Sequence, residues 1–425
     1  MTTSLPDLSD RPRFGLLAGV RVLDLTSSLA GPYATLLLAD MGAEVVKIER
    51  PGVGDDARQW GPPFLDGLSL WYASVNRNKA SVTLDYATAD GKAVLDRLVG
   101  QADVVVTNLR PAVQEKLGVD HRTLQAIRPD LVYCSITGFG LTGQRRDLAS
   151  YDLIAEGHSG VMDLTGEPDS PPQKVGTPAA DLLAGMDGAF GVVTALFDRQ
   201  RSGQGHVVDV SLVESMTRFL TPRVVSYLGS GELPRRSGGR DSVIAVYQAF
   251  DTADDPITLG LANDRTFQRF CQVAGRPEWA DDPAYDHNQA RRERRLELVA
   301  RIQEVLRTRT RAEWLEAFAA AGVPAGPINT VADLARDDEL LDRGMLFSIP
   351  VDDARWGQTP VAFVVTDGGV ALDEAAVVAH SRRHLASYKK PSRVLFVDSL
   401  PRNAAQKVLR AALRAEAAVS DAPAS

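Results

Sequence analysis

Cysteine is nearly absent: Cys134 and Cys271 are the only two in 425 residues. Two thiols build neither a disulfide framework nor a thiolate metal cluster, so a reducing compartment fits and both are expected as buried small hydrophobes. Long apolar runs are missing as well. No stretch approaches the roughly 20 apolar residues of a membrane span, and the opening "MTTSLPDLSDRPRFG" carries no signal core. The expectation is a soluble, cytoplasmic chain without membrane attachment. Basic charge is not in excess: the net charge is −8, which argues against a general nucleic-acid binder. Of six histidines only His380 and His384 share helical spacing, and "HSRRH" lacks the Glu of a zincin motif, so no metal site is expected. The first strand-to-helix turn, "TSSLAGP", holds one glycine where a dinucleotide site needs three, which excludes an NAD or FAD enzyme.

What the chain has is α/β periodicity. "VRVLDLT" (20–26) is a β-branched apolar run, "AGPYATLLLADMG" (30–42) has helical spacing with Pro32 in its first turn, and "AEVVKIE" follows as a second strand. "KASVTLDYATADGKAVLDRLVGQADVVVTNL" and "LVYCSITGFG" continue the alternation. This predicts a Rossmann-like domain with a mostly parallel sheet and helices on both faces, its ligand lying at the loops after Thr26, Glu49, Asn108 and Thr137. The glycine- and proline-rich stretch from Tyr151 to Gly176 reads as long active-site loops, and "DLLAGMDGAFGVVTALFDRQRSG" as a helix ending at Gly203. In that helix Ala184, Gly185, Gly188 and Gly191 allow another backbone to come close. Residues 225–335 change character, with a hairpin in "AVYQAFDTADDPITLGLAND" and charged amphipathic helices, among them "QARRERR", read as a solvated face. The organisation is therefore 1–224 for the large domain, 225–335 for a smaller α+β domain, a linker over 336–349, and a small α/β add-on over 350–425. That last stretch carries ten Lys and Arg against eight Asp and Glu, in contrast to the acidic remainder.

"GTPAADLLAGMDG" (176–188) sets Asp181 among small residues and repeats a carboxylate at Asp187. By spacing alone Asp181 is an N-cap for a helix starting at Leu182, a place where amides and helix dipole favour an ionised carboxylate. The same position suits a nucleophile.

"LDLTSSLAGPYATLLLADMGAEVVKIER", "NRNK", "VVVTNLRPAVQEKLG", "CSITGFGLTG", "KVGTPAADLLAG", "SGQGHVVDVSLVESM" and "AGVPAGPINTV" together resemble class III CoA-transferases of the CaiB/BaiF type, in the family's order over residues 15 to 348. The resemblance implies that Asp181 attacks the thioester carbonyl of an acyl-CoA, giving an aspartyl anhydride and then an aspartyl-CoA thioester, from which a second carboxylic acid collects CoA. No bound cofactor is implied, since the CoA thioester is a substrate, and the family's interlocked pairs imply a homodimer. Asp152 matches a glutamate of formyl-CoA transferase near its active carboxylate, and Gly238 and Gly239 match a loop that closes over it. Tyr151 stands where related 2-methylacyl-CoA racemases have their histidine, which disfavours racemization because a phenol is a poor base at neutral pH. CoA contacts are implied for Ser28, Ala30, Arg50, Lys79, Asn108, Leu109, Lys116 and Leu117, the cations serving its phosphates. Leu29 and Leu109 depart from the formyl-CoA transferase pattern, so a larger or more apolar acyl group than formyl or oxalyl is expected.

The stretch over residues 350–414 resembles instead the C-terminal subdomain of acyl-adenylating enzymes. Lys407 falls at that family's adenylation lysine, with Gln406 in place of the usual Gly. No phosphate loop of the adenylating type precedes it, so the segment is expected to be an add-on without adenylation activity.

Overall fold

The computed structural model describes residues 14–65, 67–346, 361–364, 377 and 393–396. Six strands form one parallel sheet: β1 (Arg21–Leu25), β2 (Glu44–Glu49), β3 (Lys79–Thr83), β4 (Val104–Thr107), β5 (Val132–Thr137) and β6 (Val207–Ser211). Their order across the sheet is β3-β2-β1-β4-β5-β6, and every neighbouring pair is parallel. Consecutive strands thus run outward from β1 and then restart beside it at β4. That reversal opens a crevice at the carboxyl ends of β1 and β4.

The central strands are buried on both faces, as parallel sheets demand. Val22, Val104, Val106, Val132, Cys134 and Ile136 pack toward α1 (Ala30–Asp40) and the long helix Ala179–Ser202. Leu23, Val105 and Tyr133 point the other way, into a core with Leu95, Val99 and Leu124 from the helices Ala89–Val99 and His121–Ile127. Alternation of period two within each apolar run divides the strands between two cores. Both cysteines are buried and free, and burial pushes each thiol up to about 12.

The long helix is apolar and long enough to cross a membrane, contrary to the sequence expectation, yet Ala180, Ala184, Gly188, Ala189, Val192 and Leu196 are buried in the protein core. Its small residues do let backbones meet. A Cβ on Gly185 would stand 2.7 Å from the Ala30 carbonyl oxygen, and one on Gly188 would collide with Ile136.

Residues 245–325 build a separate core around a three-stranded antiparallel sheet of β7 (Tyr247–Phe250), β8 (Ile257–Gly260) and β9 (Ala325–Pro327). Arg291, expected on a solvated face, is buried: its guanidinium donates to the Tyr285 carbonyl at 2.7 Å, pairs with Asp264 and lies over the Phe267 ring. The helix turns that arginine inward because Tyr285 and Asp264 supply the acceptors a buried guanidinium needs.

The chain divides into two compact units, residues up to Leu346 holding nearly all of the first. In the second, β10 (Val361–Val364) and β11 (Arg393–Phe396) pair in parallel. His380, His384, Gln406 and Lys407 lie outside the described residues.

Candidate active site

The crevice rests on a buried charge cluster. Asp24 at the end of β1 is fully enclosed, its carboxylate bonded by the Thr26 amide, the Thr35 hydroxyl at 2.7 Å and the Lys79 ammonium at 3.1 Å. Burial alone would push this carboxyl up, but Lys47, Lys79 and the threonine hydroxyls bring it down to about 2. Lys79 also donates to the Pro32 carbonyl and to Asn76. All three of its protons are committed inside the protein, which corrects its assignment to a CoA phosphate: it belongs to the scaffold. No sequence motif marked Asp24 or Lys47, because a charge inside an apolar strand shows its partner only after folding.

Above this cluster the loop after β1 is held from two sides. Asn108, just past β4, accepts from the Ser27 amide at 3.0 Å and donates to the Ser27 carbonyl at 2.7 Å. Asp55 accepts from the Ser28 amide at 2.9 Å and pairs with Lys47 at 2.8 Å. Ser28 has φ of 70°, a left-handed conformation that is strained for a residue with a side chain. Leu29 and Ala30 are buried where α1 begins, so they shape the crevice floor. Arg50 is exposed and paired with Asp56, Lys116 is exposed on the helix Pro111–Leu117, and Leu109 and Leu117 are half-buried. These groups stand at or beyond the carboxyl ends of β2 and β4.

Asp181 sits elsewhere in the fold than its spacing suggested. The helix, α2 (Ala179–Ser202), starts three residues earlier than expected with Pro178 at its cap, so Asp181 is in its first turn rather than before it. The capping carboxylate is Asp152, the first residue of the preceding helix α3 (Asp152–Ser159). Its Oδ1 accepts the Ala180 amide at 2.8 Å and the Asp181 amide at 3.4 Å. Asp181 is half-buried, and burial together with the Asp152 charge raises its carboxyl to about 7. The expectation that the helix start would favour the ionised form is therefore overturned. Asp152 occupies the amides that would have given that help.

One turn below Asp152 on the same helix is Glu156, which the sequence reading did not single out. It is fully buried, accepts the Val175 amide at 2.9 Å through Oε2, and has its Oε1 without a hydrogen-bond partner among the described residues. The i,i+4 spacing of Asp152 and Glu156 was a visible signal, hidden because this stretch was read as loop. Its first half forms two helices instead, Asp152–Ser159 and Val161–Leu164, separated by Gly160 at φ 89°, while residues 165–176 are irregular as expected. Tyr151 is exposed beside Asp152, and His158 packs edge-on against Phe139.

The glycine segment is pinned rather than free. Gly238 has φ of 62°, donates to the Gly166 carbonyl at 2.9 Å and leaves no room for a Cβ beside the Glu167 carboxylate, while Arg236 donates to Asp163. Gly239 is exposed with open space around it. Asp187 accepts from Ser215 at 2.7 Å and pairs with Arg218, a structural tie between α2 and the helix Leu212–Phe219.

The crevice thus combines a doubly wound parallel sheet with a glycine-poor first turn, exposed cations beyond the ends of β2 and β4, and the Asp181 carboxyl at the start of a core helix. The model of CoA-transferase family III matches residues 17–375, and that of the AMP-binding enzyme C-terminal domain matches residues 347–407. The chain belongs to CoA-transferase family III and is an acyl-CoA transferase. It is similar to a succinate–glutarate CoA-transferase of Agrobacterium fabrum, 39% identical over 79% of this chain and 86% of that one. An acetyl-CoA:oxalate CoA-transferase of Acetobacter aceti is 38% identical over 81% and 88%. The crystal structure of a CaiB/BaiF family protein from Brucella suis superposes with a TM-score of 0.70, at 41% identity over 77% of this chain and 88% of that chain. The family III match runs beyond residue 348, so the two matches overlap over residues 347–375.

Proposed function

We propose that the protein moves CoA between short carboxylic acids, dicarboxylic acids among them, with Asp181 as the covalent nucleophile. The observation that carries this reading is the Asp181 carboxyl itself: half-buried in the first turn of α2 and raised to about 7, it is about half ionised at neutral pH and poorly solvated. A thioester releases a stabilised thiolate, which a carboxylate can displace. Asp181 adds to the acyl carbonyl and expels CoA thiolate, leaving a mixed anhydride. The thiolate returns to the aspartyl carbonyl, expels the donor acid as carboxylate, and leaves an aspartyl-CoA thioester. An acceptor carboxylate reverses the two steps, so that Asp181 ends as it began.

CoA would lie along the crevice, its phosphates toward Arg50 and Lys116, its chain over the Ser28–Ala30 turn, Asn108, Leu109 and Leu117. Asp152 would restrain attack until substrate is seated, and Tyr151 with the Gly238–Gly239 segment would line the acyl end. The substrate class is supported by the names of the relatives, which transfer CoA to or from succinate, glutarate and oxalate. A homodimer is part of the proposal: Met186, Phe190 and Phe197 of α2 are exposed, Phe190 by 74%, an apolar face that suits a second copy.

The test is trapping. Incubation with succinyl-CoA and hydroxylamine should add a hydroxamate mass to the peptide containing Asp181, and Asp181→Ala should abolish both the adduct and transfer. Turnover with an unmodified Asp181 across a panel of acyl-CoAs would overturn the covalent route.

A further inference from the structure

Two carboxyl groups, Asp152 and Glu156, stand one turn apart on α3, and a third, Asp181, lies in the first turn of α2 beside the Ala180 amide that Asp152 accepts. Two ionised carboxylates cannot bond to each other, since each only accepts, so a bond between this pair would need a proton. Its place is set by geometry. Asp152 is half-buried, and its Oδ1 already has a donor in the Ala180 amide at 2.8 Å. Glu156 is fully buried, and one of its oxygens takes the Val175 amide while the other, Oε1, is enclosed with no hydrogen-bond partner among the described residues. A buried acceptor without a donor is costly, whereas a protonated Oε1 becomes a donor aimed at a neighbouring acceptor.

We infer that Glu156 is the neutral member of a three-carboxyl array, donating its O–H to Asp152 and so positioning Asp152 as the cap of α2. Asp152 then acts as a single negative charge beside Asp181, not as half of a doubly charged pair. Glu156 is a positioning residue: it acts on the reacting carboxylate through Asp152 and touches no substrate. The charged groups that act on it are Asp152, which raises its pKa after burial has done so, and Lys174, which opposes both. Its bond to the Val175 amide also ties α3 to the segment that leads into α2.

This inference rests on the proposed role of Asp181 only for its kinetic arm. The independent arm is infrared spectroscopy of the full chain in an Asp181→Asn background at pH 7. A protonated-carboxyl C=O band that shifts in deuterium oxide should be present, and Glu156→Gln should remove it. If the parent lacks the band, or keeps it after the Glu156 substitution, the neutral glutamate is disproved whatever Asp181 does. In the kinetic arm, Glu156→Leu removes the donor and should cut kcat by tenfold or more, with KM for acyl-CoA changed less. Glu156→Gln keeps one donor and one acceptor in place, so it should rescue kcat relative to Leu and leave the acidic limb of the kcat/KM profile where it was. A Gln variant whose acidic limb moves to lower pH by half a unit or more would mean that a charge had been removed, and that Glu156 was ionised. Thermal melts of both variants separate loss of fold from loss of positioning.

Discussion

The carboxylate of Asp152 caps the helix that carries Asp181, taking the Ala180 amide at 2.8 Å and the Asp181 amide at 3.4 Å. One group therefore both starts the helix and repels the charge on its first turn. A capping interaction is worth about 1 kcal/mol, and here it comes with an electrostatic cost to the neighbour it positions.

The first prediction separates those two effects. Asp152→Asn keeps an oxygen for the Ala180 amide but removes the charge, so the Asp181 carboxyl, near 7 in the wild type, should fall by roughly one unit. Because the nucleophile is the ionised form, kcat/KM for acyl-CoA should rise with pH and level off above about 7, with the variant's rise displaced to lower pH. A pH–rate series on both proteins reads this. Coincident acidic limbs would show that Asp152 does not act on Asp181.

The raised pKa also has a sign for stability. Between about 4 and 7 the folded protein holds a proton on Asp181 that the unfolded chain has released, so this group's contribution falls as pH rises through that window. Asp181→Asn should therefore melt above wild type at pH 8 and close to it at pH 4. The scale is about 1.4 kcal/mol per unit of raised pKa, reduced by solvent screening at a half-buried site. Equal differences in Tm at the two pH values would contradict it.

Lys79 and Arg50 looked alike in the sequence, and the fold gives them different fates. Lys79→Ala leaves Asp24 buried and short of a cation, and should cost about 3–5 kcal/mol in urea melts. Arg50→Ala removes an exposed arginine paired with Asp56 and should change stability by less than about 1 kcal/mol. It should instead raise KM for acyl-CoA roughly tenfold through one lost phosphate contact. A stable Lys79→Ala protein with weakened CoA binding would return Lys79 to the ligand.

The contrast marks what could be read in advance. Strands β1, β2, β4 and β5 were legible as β-branched apolar runs, the edge strand β3 from its place in the alternation of strands and helices, and the helix ending at Gly203 from its closing glycine. The crevice was legible too, since strand order alone places it. What escaped was pairing at a distance. Lys79 finds Asp24 across 55 residues, Asp152 finds Ala180 across 28, and Arg291 finds Asp264 across 27. None of these pairs has a local pattern, because each side chain's role is set by a partner brought in by the fold. Glu156 was missed for a different reason: glycines and prolines around it imitate a loop, and its helical spacing to Asp152 shows only once the helix is known.

The two glycines of the pinned segment should behave differently. Gly238→Ala forces a Cβ to within 2.3 Å of the Glu167 carboxylate at a positive φ, and should cost about 1–3 kcal/mol locally. Increased proteolytic cutting near residue 238 and a fall in kcat would follow. Gly239→Ala meets open space and should leave proteolysis unchanged. If both substitutions act alike, the segment works as a free hinge and not as a tethered one.

The turn after β1 gives the last prediction. Ser28 is held at φ 70° by the hydrogen bond its amide donates to Asp55, while Asn108 holds both backbone polar groups of Ser27 from the far side of the sheet's switch point. Glycine adopts that φ without penalty, so Ser28→Gly should stabilise the protein by about 0.5–1 kcal/mol. Asn108→Ala removes two hydrogen bonds across the crevice and should cost about 1–3 kcal/mol. The strained serine matters for binding if the turn must be rigid to receive CoA. Ser28→Gly should then raise Tm and yet raise KM for acyl-CoA, and the Ser28→Gly, Asn108→Ala double variant should lose more affinity than the single changes add up to. Calorimetric titration of CoA into the four proteins measures that coupling, and strict additivity would mean that the two residues act on separate parts of the ligand.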